Sequence, residues 1–239
     1  MNAPAKTAIV TGGSRGIGQA RDGFGIAVNY ASNRAQAEEV VQHIEHAGGR
    51  AIAVQGDVAN HEDMKRLFEE TERAVGDIAV IVNSAGVMPL SRIDDLNLDE
   101  FDRVMRTNLC GAFIVFGEAT HHLREGGRII ALSTSVIAKA FPTYGPYIAS
   151  KAGVEGLIHV LANELRGRQI TVNAIAPGPV ATDLFLKGKT EEQIAQISKL
   201  APLERLGTPE DIAGVVSFLA GPDGAWVNAQ VLRVNGGFA

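Results

Sequence analysis

A single cysteine, Cys110, stands among 239 residues, so no internal disulfide can staple the chain and its stability has to come from a packed core. Basic charge is also short, with 22 Lys and Arg against 27 Asp and Glu and a formal net charge of −5. The cations are scattered along the chain, which leaves no basic surface for nucleic acid and means that an anionic ligand must be held by local groups. No apolar run approaches the roughly 18 residues of a membrane span. Residues Met1 to Lys6 lack the charged and apolar regions of a signal peptide, and the expected location is a reducing cytoplasm. The six histidines include no pair at ligand spacing with a third donor, so no metal is expected. His121 and His122 read as a solvated helix face, and Cys110 as core packing. Internal repeats and low-complexity linkers are missing too.

What remains is a chain of a length suited to one α/β domain spanning residues 1–239, with an ordinary 46% hydrophobic content. Short β-rich runs at 7–11, 26–30, 51–55, 80–83, 128–132, 171–175 and 231–234 alternate with longer segments. Those segments, 34–47, 61–75, 98–123, 147–166 and 209–219, carry apolar residues at helical spacing. The alternation predicts a Rossmann-type, doubly wound parallel sheet of about seven strands with helices on both faces. Pro209, followed by Glu210 and Asp211, suits a helix start, because proline forfeits no needed N–H there and acids favour the positive end. Residues 177–199 are the least regular and follow a strand end, so 183–200 is the expected substrate lid.

Directly after the first strand comes Thr11-Gly12-Gly13-Ser14-Arg15-Gly16-Ile17-Gly18. Strand, glycines and helix, in that order, make a phosphate cradle. Gly12 permits the tight turn, Gly16 admits backbone to a pyrophosphate, and Gly18 allows close packing, while a helix start offers free N–H groups to the anion. By itself such a motif is weak and also describes a flexible loop.

The spacing Thr-Gly-x-x-x-Gly-x-Gly resembles the short-chain dehydrogenase/reductase family, and the resemblance runs from Lys6 to Ala239. It continues through Asp57-Val58, Asn83-Ser84-Ala85-Gly86, Asn108, Tyr147-x-x-x-Lys151, Pro177-Gly178 and Asn235-Gly236-Gly237, each at the expected end of its element. The C-terminal half is most similar to the 3-oxoacyl-carrier-protein reductases and the polyhydroxynaphthalene-reductase-like group. The resemblance implies hydride transfer between a nicotinamide dinucleotide and a ketone or 3-oxoacyl carbonyl, and a homotetramer built on the long helices 98–123 and 147–166.

An acid ending the second strand would accept from a ribose 2′-hydroxyl and repel a 2′-phosphate. Here that strand runs into Ala31-Ser32-Asn33-Arg34, with no acid before Glu38. Arg15 and Arg34 can face a phosphate, with Ser32 and Asn33 as donors, so NADP(H) is favoured over NAD(H). The plainer reading of both arginines is a solvated surface charge. By resemblance the cofactor also meets Ser14, Ile17, Asp57, Val58, Asn83, Ala85, Gly86, Pro177, Gly178, Val180 and Thr182. Asp57 would accept from the adenine amino group; its plainer role is a helix cap or turn residue.

Tyr147 and Lys151 are four apart in a helical segment and share one face. An ammonium about 4 Å from a phenol, at an effective dielectric of about 20, attracts its anion by about 4 kcal/mol, enough at most to bring a phenol from about 10 to near neutrality. Tyr147 is then placed to act as the acid in reduction and the base in oxidation. The resemblance adds Lys151 on the nicotinamide ribose and Asn108 holding a water between Lys151 and solvent. It also requires a hydroxyl after the fifth strand. Ungapped placement lands on Thr134, where serine is usual, with Ser133 and Ser135 as neighbours.

Two departures stand out. Between Gly18 and the second strand about six residues of the family pattern are absent, so a remaining helix rises only about 9 Å against a strand of about 20 Å. Either the chain returns extended or the first strand pair is rearranged, and weaker cofactor binding or lower stability is expected. Ser84 stands where asparagine is usual, a mild change. The competing reading is a catalytically silent dinucleotide-binding or scaffold protein of the same fold.

Overall fold

The computed structural model describes residues 6–13, 24–186 and 188–239. Seven strands, β1 (Thr7–Thr11), β2 (Gly25–Tyr30), β3 (Arg50–Gln55), β4 (Ile78–Asn83), β5 (Arg128–Leu132), β6 (Thr171–Pro177) and β7 (Val231–Val234), pair in parallel in the order β3-β2-β1-β4-β5-β6-β7. The order reverses between β1 and β4. In such sheets the crevice beyond the carboxyl ends at the reversal receives the ligand.

The helices described are α1 (Arg34–His46), α2 (His61–Ala74), α3 (Leu98–Val104), α4 (Gly111–His122), α5 (Val136–Lys139), α6 (Gly145–Glu164), α7 (Asp183–Leu186), α8 (Glu191–Ser198) and α9 (Pro209–Ala220). Alternate strand residues face opposite sides. Ile9, Ala27, Ile81 and Ile129 pack under α2, α4 and α6, while Ala8, Val10, Val28 and Val82 share a core with α1 and α9. Burial on both faces is why the strands read as continuous aliphatic runs. The helix starts are fixed by side chains that accept orphan N–H groups: Asn33 from Gln36, Asn60 from Asp63, and Thr208 from Asp211 in a capping box that Pro209 follows.

Four expectations are refined. β1 and β2 pair in regular parallel register from Thr7 opposite Gly25 to Val10 opposite Val28, so the first strand pair is not rearranged. The shortened crossover itself falls outside the described residues. The predicted helix over 98–123 is broken by a π-helical segment, Met105–Cys110, between α3 and α4. Such single-turn insertions recur at functional sites, and no proline or glycine within 105–110 announces this one.

Cys110 is exposed, not core. The buried side of that helix is carried by Asn108, Gly111, Ala112 and Val115, and a residue two places from Asn108 falls on the opposite side. His122 is not a solvated helix face either. It stacks on Phe68 with ring centroids 5.1 Å apart and meets Glu72 at 3.1 Å and Glu118 at 3.6 Å, joining α2 to α4. Among the described residues no helix is long and apolar enough to cross a membrane.

Candidate active site

The carboxyl ends of β1 and β4 are clipped together at the sheet reversal. Thr11 Oγ1 donates to Asn83 Oδ1 at 2.8 Å and accepts from the N–H groups of Ser84 and Ala85. Gly12, at φ +62°, lies so close that a Cβ there would stand 2.7 Å from Ala85 Cα. A bare backbone hollow is what a dinucleotide needs in order to approach. Gly86 carries the hollow onward, since a Cβ on it would meet Asn108 Oδ1 at 3.3 Å and Lys151 Nζ at 3.5 Å. Ser14, Arg15, Gly16, Ile17 and Gly18 lie outside the described residues.

Toward β2, Asn33 spends its side-chain oxygen capping α1, and Arg34 Nε pairs with Glu38 at 2.6 Å on an exposed face. Asp57 Oδ1 accepts from Ala59 N–H at 3.0 Å, so it is the turn residue, while Asn60 is the cap of α2. Val58 turns its side chain into the core against Gly111, which leaves only its backbone for a ligand.

Tyr147, Lys151 and Thr134 converge on one cavity of about 370 Å³ beyond β4, β5 and β6, which Pro177, Gly178, Val180 and Thr182 also line. α6 puts Tyr147 and Lys151 on its buried face. Lys151 Nζ donates to the Leu132 carbonyl at 2.7 Å, and its burial lowers the ammonium to about 8. The expected depression of the tyrosine is overturned: burial pushes Tyr147 up to about 12, opposed by a hydrogen bond with the Thr134 side chain. Removing a phenolate from water costs more than the neighbours return, and Lys151 is directed at a carbonyl instead.

The three candidate hydroxyls separate clearly. Ser133 donates to Glu155 and Ser135 donates to the Ala176 carbonyl, whereas the Thr134 side chain is the one that bears on Tyr147, lowering its phenol against burial. Asn108 is buried; its amide accepts from Val87 N–H at 2.8 Å and donates to Val87 O at 2.9 Å and Ser150 Oγ at 3.0 Å. Ser150 donates in turn to the Tyr147 carbonyl at 2.7 Å. The π-helical segment is thereby tied to both the β4 turn and the start of α6.

Sequence reasoning missed the aromatic wall. Phe141 and Tyr144 precede Tyr147 at steps of three, a signal that was there to be used, but Phe238 lies 91 residues away and nothing local marks it. Glu155 and Ser150 were missed for the same reason: their partners are set by the packing of α6 on the sheet.

The hollow, the buried lysine and the tyrosine suit a nicotinamide dinucleotide, and known proteins agree with that chemistry. A family model described as enoyl-(acyl carrier protein) reductase matches residues 14–239. A short-chain type dehydrogenase/reductase of Picea abies is 45% identical, over 97% of this chain and 92% of that one. An Arabidopsis thaliana protein named NADPH-dependent aldehyde reductase-like protein, chloroplastic, is 40% identical over 98% and 94%. The solved structure of a blue fluorescent protein from a metagenomic library, in complex with NADPH, superposes with a TM-score of 0.91 at 36% identity, covering all of both chains. With likeness across its whole length, the chain is an oxidoreductase that belongs to the short-chain dehydrogenase/reductase family.

Proposed function

We propose that the chain reduces a ketone or 3-oxoacyl carbonyl to the alcohol with NADP(H), Tyr147 being the proton donor. The observation that carries this reading is the meeting of Tyr147, Lys151 and Thr134 in one apolar cavity beyond β4, β5 and β6. The absence of an acid between β2 and Glu38 supports NADP(H) over NAD(H), as do the NADPH-dependent relative and the NADPH complex.

The glycine hollow, Asn33, Arg34, Asp57, the Asn83 turn, Lys151 and the 177–182 loop would hold the cofactor. Bound there, NADPH would supply the hydride that the carbonyl carbon accepts. The π electrons move to the carbonyl oxygen, Thr134 donates a hydrogen bond to it, and Tyr147 transfers its proton, completing the alcohol. A phenol held protonated by burial is in the right state for this step. Lys151 stabilises the phenolate that results, and Asn108 holds the water through which a proton returns. Its position beside Gly86, which Lys151 also abuts, supports that assignment.

Residues 183–200 are assigned as the lid, since Phe185 and Ile197 lie against the cavity. A homotetramer through the α3–α4 helix and α6 is supported by exposed Phe113 and Val160 on them. A reducing cytoplasm suits a free cysteine. Carbonyl-dependent oxidation of NADPH tests the reading. Tyr147→Phe is expected to lower it about 100- to 10,000-fold with the fold retained, and persistent turnover in that variant overturns the mechanism.

A further inference from the structure

The loop that follows β6 is a thin wall. Pro177, Gly178, Val180 and Thr182 line the cavity that holds Tyr147 and Lys151. A second cavity, of about 170 Å³, is lined by Gly178, Pro179 and Val180 again, together with Arg205, Gly207 and Asp211. A segment with open space on two sides has few packing contacts, so its place is set by the groups that tether it.

Those tethers are made by the backbone. Gly178 N–H donates to the Val234 carbonyl of β7 at 3.0 Å. Beyond that point the loop runs beside Gly207 in a short parallel bridge, where Gly207 N–H donates to the Pro179 carbonyl at 2.9 Å and Ala181 N–H donates to the Gly207 carbonyl at 2.9 Å. Both polar backbone groups of Gly207 are therefore committed to the loop.

Gly207 is in turn fixed by one ion pair that grips it on both flanks. Arg205 donates to Asp211, at the start of α9, through Nη1 at 2.6 Å and through Nη2 at 3.0 Å, a two-pronged geometry that leaves little freedom. Arg205 Nη1 also reaches the Leu206 carbonyl at 3.0 Å, and Asp211 Oδ2 accepts from Thr208 N–H at 2.8 Å. The residue before Gly207 and the residue after it are thus each held by one partner of the pair. The near end of the segment is anchored as well. Leu203 N–H donates to the Gly236 carbonyl at 3.2 Å, and Glu204 stands at φ +50°, a conformation that a residue with a side chain keeps only where its surroundings hold it.

We infer that Arg205 and Asp211 are positioning residues for the cofactor, acting through Gly207 to set where the 178–182 loop meets its nicotinamide end. The inference rests on the NADP(H) reading. The loop shares its cavity with Tyr147 and Lys151, whereas the Gly12 hollow lies against Ala85 at the sheet reversal, so the pair bears on the hydride-bearing end and not on the phosphate end.

Calorimetry with NADPH and with adenosine 2′,5′-bisphosphate, which carries the phosphate end without the nicotinamide, tests this. Asp211→Asn keeps an oxygen for Thr208 N–H and loses the charge, and Arg205→Gln loses both charge and fork. Each is expected to weaken NADPH about 5- to 20-fold and the bisphosphate by less than about twofold. Arg205→Lys, a point charge without the fork, is expected to fall between Arg205→Gln and the wild type. Exposed ion pairs add little to global stability, so the thermal midpoint is expected to fall by no more than about 4 °C. Hydrogen exchange at the Ala181 and Gly207 amides, measured without cofactor, is expected to quicken about tenfold or more in Asp211→Asn while β1 and β4 stay unchanged.

Equal weakening of the two ligands, undiminished NADPH binding, a larger loss of midpoint, or unchanged exchange at Ala181 and Gly207 overturns the inference. A wild type that binds neither ligand sinks the NADP(H) reading instead. The exchange measurement, which uses no cofactor, then decides alone whether the pair governs the loop.

Discussion

At the scale of the residue, the chemistry depends on which groups are kept from water. Burial raises the phenol of Tyr147 and lowers the ammonium of Lys151, so the first group to change state as the pH rises is the lysine. Its charge is present about a unit below 8, half lost at about 8 and gone about a unit above. The pH profile of kcat/KM for carbonyl reduction is accordingly expected to be level to about pH 7 and to decline through about 8, and Lys151→Arg is expected to move the decline upward. A profile level to pH 10 in the wild type would contradict this. Thr134 carries the second residue-scale prediction. Thr134→Ser keeps the hydroxyl and is expected to stay within about threefold of wild type, whereas Thr134→Ala removes a hydrogen bond and should cost about 1–3 kcal/mol, or roughly 5- to 150-fold in kcat/KM. Equal behaviour of the two variants would remove the hydroxyl from the mechanism.

At the scale of the element, the unusual feature is the first crossover. Only thirteen residues separate Thr11 from Gly25, close to the dozen that a parallel connection requires. Inserting a family-length helix after Gly18 is expected to tighten NADPH binding and to raise the thermal midpoint by several degrees, at about 2–4 °C per kcal/mol for a chain of this size. Equal affinity and midpoint in both proteins would show that the shorter connection costs nothing. The π-helical segment offers a second test. A Cβ on Gly111 would stand 2.7 Å from Val58 Cγ2, so Gly111→Ala is expected to destabilise by about 1–3 kcal/mol through overpacking, read from urea unfolding. An unchanged midpoint would show that α4 can shift away from Val58.

At the scale of the whole molecule, the long helix pair leaves Phe113 and Val160 exposed on the surfaces that the family resemblance assigns to assembly. Sedimentation of the wild type is expected to give four 25.2 kDa chains, and Phe113→Glu combined with Val160→Lys is expected to give smaller species. A monomeric wild type at micromolar concentration would refute the assembly.

The sequence by itself determined the strand and helix pattern, because the period of its apolar residues is a local property. Six of the seven predicted strands end at the residues where the structure ends them, and only β6 runs on, to Pro177. The sequence also put Tyr147 and Lys151 on one helix face, since a spacing of four survives without coordinates, whereas Asn108 was named by the family resemblance. Tertiary structure alone decided which of three adjacent hydroxyls meets the phenol, because that choice depends on Ser133 finding Glu155 and Ser135 finding Ala176 and Asn235 across the fold. It likewise decided the sign of the shift at Tyr147. Charge proximity can be read from spacing, but the desolvation that outweighs it comes from residues brought together over the length of the chain.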